Sequence, residues 1–298
     1  MLLKIQSFLA NLGAVVVSLI RILLLAKWRV VLARPHHSEC VILANGPSLG
    51  KMIHDYSGFL KGKDLICVNH FPTTEYYDQL QPPFYVTSAP DLWLDDIDEF
   101  FVRQSNRLFR VMSTETNWKL TFHVPYESRK FKRWQAQLKT NPEISLIFYN
   151  NTPIEGWRWF RHLCFKLNLG MPRPHNVLIP CLTHAINMGY GKIYLWGADH
   201  SWLSEISVDN QNQVLINQKH FYDHQTSQGK PLDKRGIGQR NMPELLTKFV
   251  HAFNGYFVLK EYAQSRGVSI YNATPGSFID AFDRIDLSVL ESSHHVQN

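Results

Sequence analysis

Residues 5–26, IQSFLANLGAVVVSLIRILLLA, are apolar almost without a break. The rest of the chain switches to short apolar runs separated by polar turns. A helix over that first stretch rises about 33 Å, close to the thickness of a bilayer core. Beyond it, residues 40–44, 64–68, 84–86, 108–112, 145–149, 192–196 and 268–271 read as short buried strands. Residues 180–188 suit a helix stopped by Gly189, and residues 244–266 a long helix stopped by Gly267. Strands alternating with helices predict an α/β fold: a Rossmann-like, mostly parallel sheet preceded by an N-terminal membrane helix. Residues 200–240 break the pattern. They are polar and long, without a regular period, yet carry Trp202, Phe221 and Tyr222, so they predict a functional lid. Residues 150–174 are rich in Trp and Arg. They read equally as a core helix with Arg158 and Arg161 facing water, or as a surface near an acceptor or the membrane.

Charge sharpens the division of the chain. The net charge is +6, and residues 1–34 contribute Lys4, Arg21, Lys27, Arg29 and Arg34 with no acid. The body is therefore nearly neutral, which argues against a nucleic-acid binder. Arg21 lies near one end of the apolar run, where a long side chain can snorkel. The basic cluster after the run places the body in the cytoplasm, on the inner membrane. The expected layout is a membrane anchor over residues 1–34, transmembrane or lying in the surface, and a transferase domain over residues 35–298. No small-x-small site follows the apolar run before the basic cluster, so a cleaved signal peptide fits poorly. The four cysteines show no CxxC spacing, which argues against a zinc ribbon or redox motif.

Candidate chemistry gathers just past the strand ends, where open α/β sheets bind ligands. Asn45, Gly46, Pro47 and Ser48 follow the first strand, Asn69 the second, Asp91 the third and Asp199 the strand at 192–196. The Asn-Gly-Pro-Ser turn offers backbone donors at a helix start, suited to a phosphate. It is neither a Walker A loop nor a GxGxxG fingerprint. His200, His220 and His224, with Asp199, Asp223 and Tyr222, supply acid/base or phosphate-contact groups in the lid. A metal site there would want a tidier ligand pair.

Taken in order, residues 45–49, Asn69, residues 185–199 and residues 270–277 resemble one superfamily. It holds the bacterial sialyltransferases of glycosyltransferase family 42 and the 6-hydroxymethylpterin diphosphokinase-like (MptE-like) proteins. The resemblance runs over residues 40–285, and the Gly189–Asp199 segment is its most specific part. It implies that Asn45, Ser48 and Asn69 hold a nucleotide and that a lid histidine, His224 or His220, is the general base. The implied activity is a membrane-attached glycosyltransferase of cell-envelope or capsular polysaccharide synthesis. It would use a nucleotide sugar, with a CMP-sialic-acid-like donor favoured, and a glycan or lipid-linked acceptor, with no essential metal. Asp91, His200 and Tyr222 would touch substrate or phosphate. The chain departs from the sialyltransferases in two places. Its third strand ends Thr87-Ser88-Ala89-Pro90-Asp91 instead of Asn-Pro-Ser, and His200-Ser201-Trp202 replaces their phosphate-binding Tyr. Two alternatives stand beside this reading. One is an MptE-like diphosphotransferase using ATP and Mg²⁺, with Asp91 and Asp199 as metal ligands. The other is a non-catalytic nucleotide-sugar-binding component of a polysaccharide assembly.

Overall fold

A computed structural model describes residues 2–217, 221, 229–231 and 238–289. The strands of the main sheet are β1 (Glu39–Leu43), β2 (Asp64–Val68), β3 (Phe84–Val86), β4 (Leu120–Pro125), β5 (Ile144–Tyr149) and β6 (Lys192–Trp196), joined by two later ones. A small separate sheet holds β7 (Ile206–Val208), β8 (Val214–Ile216) and β9 (Lys230–Pro231), and β10 (Ser269–Asn272) and β11 (Asp283–Arg284) complete the first. The helices are α1 (Leu2–Leu25), α2 (Leu49–Tyr56), α3 (Tyr76–Leu80), α4 (Glu99–Glu115), α5 (Arg133–Leu138), α6 (Arg158–Lys166), α7 (Leu178–Met188) and α8 (Met242–Ser265). The main sheet is parallel throughout, in the order β11-β10-β6-β1-β2-β3-β4-β5. The expected α/β, Rossmann-like architecture is therefore present.

The strands are apolar on both faces because both faces are covered. Cys40, Ile42, Ile66, Val68, Phe84 and Leu195 point to one side, into a core shared with α6, α7 and α8 and closed by Val15 and Ile22 of α1. Val41, Leu43, Leu65, Cys67, Tyr85 and Trp196 alternate to the other side, under α2, α4 and α5. Asp64 is a buried acid at the start of β2. Its Oδ2 accepts from the N–H groups of His36 (2.7 Å) and His37 (3.2 Å) and from the Tyr190 hydroxyl (2.7 Å). The segment entering β1 is thus tied to β2. Asp64→Ala strips three donors of a charged acceptor, and it is expected to cost about 3 kcal/mol in chemical denaturation.

Two predicted elements come out differently. Residues 108–112 are not a strand but the middle of α4. Ser105, Leu108, Phe109 and Met112 are buried at helical spacing, and Asp98 caps the start by accepting from the Phe100 N–H at 2.8 Å. The lid region is more regular than its sequence suggests. A 3₁₀ turn at Ser201–Glu205 leads into the β7–β8 antiparallel pair, with β9 alongside. The short runs Ile206–Val208 and Val214–Ile216 are separated by a turn at Asp209, whose carboxylate accepts from the Gln211 and Gln213 N–H groups.

Candidate functional site

The chain leaves β1 in one direction to build β2 through β5, then returns on the other side of β1 with β6. The order reverses between β1 and β6, and open α/β sheets bind ligands at such a switch point. A cleft of about 760 Å³ opens there. Asn45, Gly46 and Pro47 line it from β1, Asn69 from β2, Asp91 from β3, and Asp199 and His200 from β6. Four separate loops that the sequence singled out therefore meet at one site.

The first turn is built by close approach. The Gly46 N–H donates to the Gly197 carbonyl at 2.8 Å, and the Ala44 N–H to the Trp196 carbonyl at 2.8 Å. Asp199 then fills the start of α2. Its carboxylate accepts from the Ser48 hydroxyl at 3.0 Å and the Ser48 N–H at 3.3 Å. Burial raises the Asp199 carboxyl above its ordinary value, against the pull of the Ser48 bonds. Ser48 therefore does not present its donors to the cleft; it holds an acid. The late segment at 272–277 props the same loop from behind. Thr274 Oγ1 accepts from the Ala198 N–H at 3.0 Å, and the Ser277 hydroxyl donates to the Ala198 carbonyl at 2.6 Å.

Asn45 and Asn69 remain facing the cleft. Asn45 Nδ2 donates to the Val68 carbonyl at 3.0 Å, while its Oδ1 is buried without a partner among the described residues. Asn69 adopts a left-handed backbone with φ 46°, which Asn tolerates at a strand end. Its Oδ1 accepts from the Thr87 hydroxyl at 3.2 Å. The Phe221 N–H donates to the Asn45 carbonyl at 3.2 Å, so one lid residue is seated on this turn. His220, Tyr222 and His224 lie outside the described residues.

His200 also has a left-handed backbone, φ 52°. Its ring lies 4.0 Å from that of Trp202, and its Nε2 is 2.5 Å from the Tyr256 hydroxyl. Tyr256 donates in turn to Asn176 Oδ1 at 3.1 Å, which makes Nε2 the protonated nitrogen of His200. Burial pushes the His200 pKa down to about 3, so the ring is neutral at ordinary pH.

Another stretch of the cleft wall was not singled out from the sequence. His175, Asn176, Arg240, Lys248 and His251 line it. The His175 and His251 rings stack at 5.0 Å and 7°. Burial, then His251 and the neighbouring cations Arg173, Lys248 and Arg240, push His175 down to about 4. Its Nε2, with Asn176 Nδ2 and Arg240 Nε, is buried without a hydrogen-bond partner among the described residues. Buried polar atoms without partners on cleft-lining residues point to a ligand site. Glu244, Thr247, Lys248 and His251 recur at helical spacing on the first turns of α8, which is the signal that points to them.

Amide, acidic and basic groups therefore line the same cleft. Among the described residues, no group of three or more His, Cys, Asp or Glu side chains is placed to hold a metal ion. No protein-family model matches the chain, and no curated protein matches it.

Proposed function

We propose that the protein is a membrane-associated glycosyltransferase that takes a nucleotide-activated sugar in the switch-point cleft. The observation that carries this reading is that residues bordering that cleft carry polar atoms without partners among the described residues. They are Asn45 Oδ1, Asn176 Nδ2 and Arg240 Nε, all buried as the side chains stand. An amide oxygen suits a base or ribose hydroxyl, and cationic donors suit phosphate oxygens. The cleft volume lies within the roughly 300–1,000 Å³ usual for small-molecule sites.

In the proposed reaction an acceptor hydroxyl attacks the anomeric carbon. The bond from that carbon to the phosphate oxygen breaks, and the nucleotide leaves with the electron pair. Arg240 and Lys248 offset the charge that grows on the phosphate. The acceptor's proton passes to a lid histidine, His224 or His220. The acceptor is a glycan or a lipid-linked glycan, the donor a CMP-sialic-acid-like sugar, and the body faces the cytoplasm. The diphosphotransferase alternative asks Asp91 and Asp199 to hold Mg²⁺. Both line the cleft, but each Asp199 oxygen already accepts a hydrogen bond from Ser48, so that carboxylate fits a metal poorly.

The test is a thermal-shift panel of CMP, UDP, GDP and ATP, with and without Mg²⁺, on the full chain in detergent. One cytidine or other sugar-donor nucleotide is expected to raise the transition without Mg²⁺. Arg240→Ala and Asn45→Ala are each expected to weaken that ligand about ten- to a hundredfold. A shift seen only with ATP and Mg²⁺ overturns the glycosyltransferase reading. A ligand shift unaltered in both variants removes the assignment of this cleft.

A further inference from the structure

The helix α1 is long and apolar enough to cross a bilayer, with a mean hydropathy of 2.3 over its best window. Its contacts with the body say how it is placed. Phe8, Asn11, Val15, Ser18 and Ile22 recur every three or four residues, so they form one stripe along the helix. The whole stripe is engaged. The Phe8 ring lies 5.4 Å from that of Trp157. Gly156, at φ 114°, sits so close that a Cβ there would fall 2.5 Å from a Val15 methyl and 3.3 Å from the Asn11 carbonyl. The Ser18 hydroxyl donates to the Glu155 carbonyl at 3.1 Å and accepts from its N–H at 2.8 Å, and Ser18 is fully buried. Arg21 pairs with Glu155 at 3.1 Å, and Ile22 joins the main core.

This seam runs for about 21 Å of helix. Within α1, only Leu2–Ser7 lies beyond it on the N-terminal side, about 9 Å against the roughly 30 Å of a hydrocarbon core. A helix held this way cannot cross a bilayer while the body stays in water.

The segment facing the seam continues into α6. Trp157 caps its start near Phe8. At its other end, Asn168 Nδ2 donates to the Val30 carbonyl at 3.2 Å. The outward side of α6 exposes Trp159, Leu163 and Leu167, and the chain after α1 exposes Trp28 and Val31. The free side of α1 is exposed and apolar as well, and Trp157 and Asn168 tie both ends of α6 to the α1 segment. Arg158 and Lys166 flank the apolar residues of α6, and neither α1 nor α6 contains an acid.

We infer that α1 lies in the plane of the membrane as a monotopic anchor, and that α6 enters the same leaflet beside it. The occupant of this face is the surface of an anionic bilayer. The charge complements it: exposed cations ring an apolar face without acids, as in interfacial helices that bind anionic lipid. The inference rests on the membrane association proposed above and goes beyond it by setting depth and topology.

The experiment uses the full chain bound from outside to phosphatidylethanolamine–phosphatidylglycerol vesicles. The cysteines at 40, 67, 164 and 181 are buried, so an introduced thiol reports alone. Lys4→Cys is expected to react with a membrane-impermeant maleimide without detergent. A fluorophore on Leu163→Cys is expected to blue-shift on binding and to be quenched by nitroxide lipids, while one on the exposed Lys119→Cys is not. Trp159→Ala with Leu163→Ala is expected to lower vesicle partitioning about tenfold or more. Lys4→Cys reacting only after detergent means a spanning helix and overturns the inference. A Leu163 probe already blue-shifted without lipid, and blind to the quencher, means that a second protein copy covers the face, which also overturns it. No vesicle binding at all removes the membrane association itself.

Discussion

Gly46→Ala is expected to destabilise the protein by about 3 kcal/mol and to abolish ligand binding in the cleft. A Cβ at this position would lie 2.0 Å from Asp199 Oδ2 and 2.4 Å from the Gly197 carbonyl oxygen. The carboxylate could swing away, but only by giving up both Ser48 bonds. The carbonyl cannot, because it accepts the Gly46 N–H and belongs to a loop braced by Thr274 and Ser277. The added methyl must therefore push the β1 and β6 loops apart, and their approach forms the floor of the cleft. Denaturant unfolding of the full chain in detergent reads the first effect, and the nucleotide thermal shift reads the second. Asp199→Ala combined with Gly46→Ala removes the first clash and leaves the second, so it is not expected to restore stability. Parental stability in Gly46→Ala would mean that the two loops do not approach this closely.

The layout of the sheet was legible because a parallel strand buried on both faces leaves an uninterrupted apolar word. Residues 64–68, DLICV, are buried at every position. The same rule misread residues 108–112, where Leu108, Phe109 and Met112 line one side of a helix while Arg110 faces water. It also passed over β4, LTFHVP, because Thr121, His123 and Pro125 interrupt the apolar run. His123 is nonetheless fully buried, on the face opposite Phe122. Strand ends were legible as a set, and Asn45, Asn69, Asp91, Asp199 and His200 do share one cleft. Their partners were not. Nothing in the local sequence says that Asp199 takes the donors of Ser48, since that contact joins residues 151 positions apart. The basic wall was hidden for the same reason: His175 and His251 meet only once α8 packs on α7.

The N-terminal run was legible as a helix long and apolar enough to cross a membrane, but not as part of the core. Hydropathy sees Ser18 as one small polar residue in a permissive stretch. In the fold it is the fully buried centre of the seam with Glu155. The segment after α1 is pinned as well. The Lys27 N–H donates to Asn150 Oδ1 at 2.8 Å, and Asn150 Nδ2 returns a bond to the Lys27 carbonyl at 2.7 Å. Glu155 also pairs with Arg173 at 3.0 Å, directly before the cleft-lining residues 174–178. Helix α1 and the cleft wall thus share one carboxylate, so cutting the chain near residue 35 would expose part of the core and loosen the site.

Stability is expected to fall steeply as the pH drops from about 6.5 toward 4, because buried histidines cannot charge in the folded state. His123 of β4 and His184 of α7 pack ring to ring at 5.3 Å, and Tyr149 covers His184 at 4.4 Å. Burial pushes His123 down to about 4 and His200 down to about 3. His184 is held well below its ordinary value, by burial first and by His123 second. In the unfolded chain each returns to about 6.5. Between the folded and unfolded values, the unfolded chain binds more protons than the folded one, so acid favours unfolding. The stabilisation is complete above about 6.5 and is lost progressively below it, until the folded rings protonate. Each such histidine adds a slope of about 1.4 kcal/mol per pH unit, so these three give about 4, and His175, also held near 4, adds to it. Urea unfolding of the full chain in detergent, at steps from about pH 7.5 to 5, measures that slope. His123→Leu is expected to lower it by about 1.4 kcal/mol per pH unit, whatever its effect on stability at neutral pH. A slope unchanged by the substitution would mean that His123 protonates alike in both states, and that the ring pair in the core is not as dry as the packing of β4 on α7 requires.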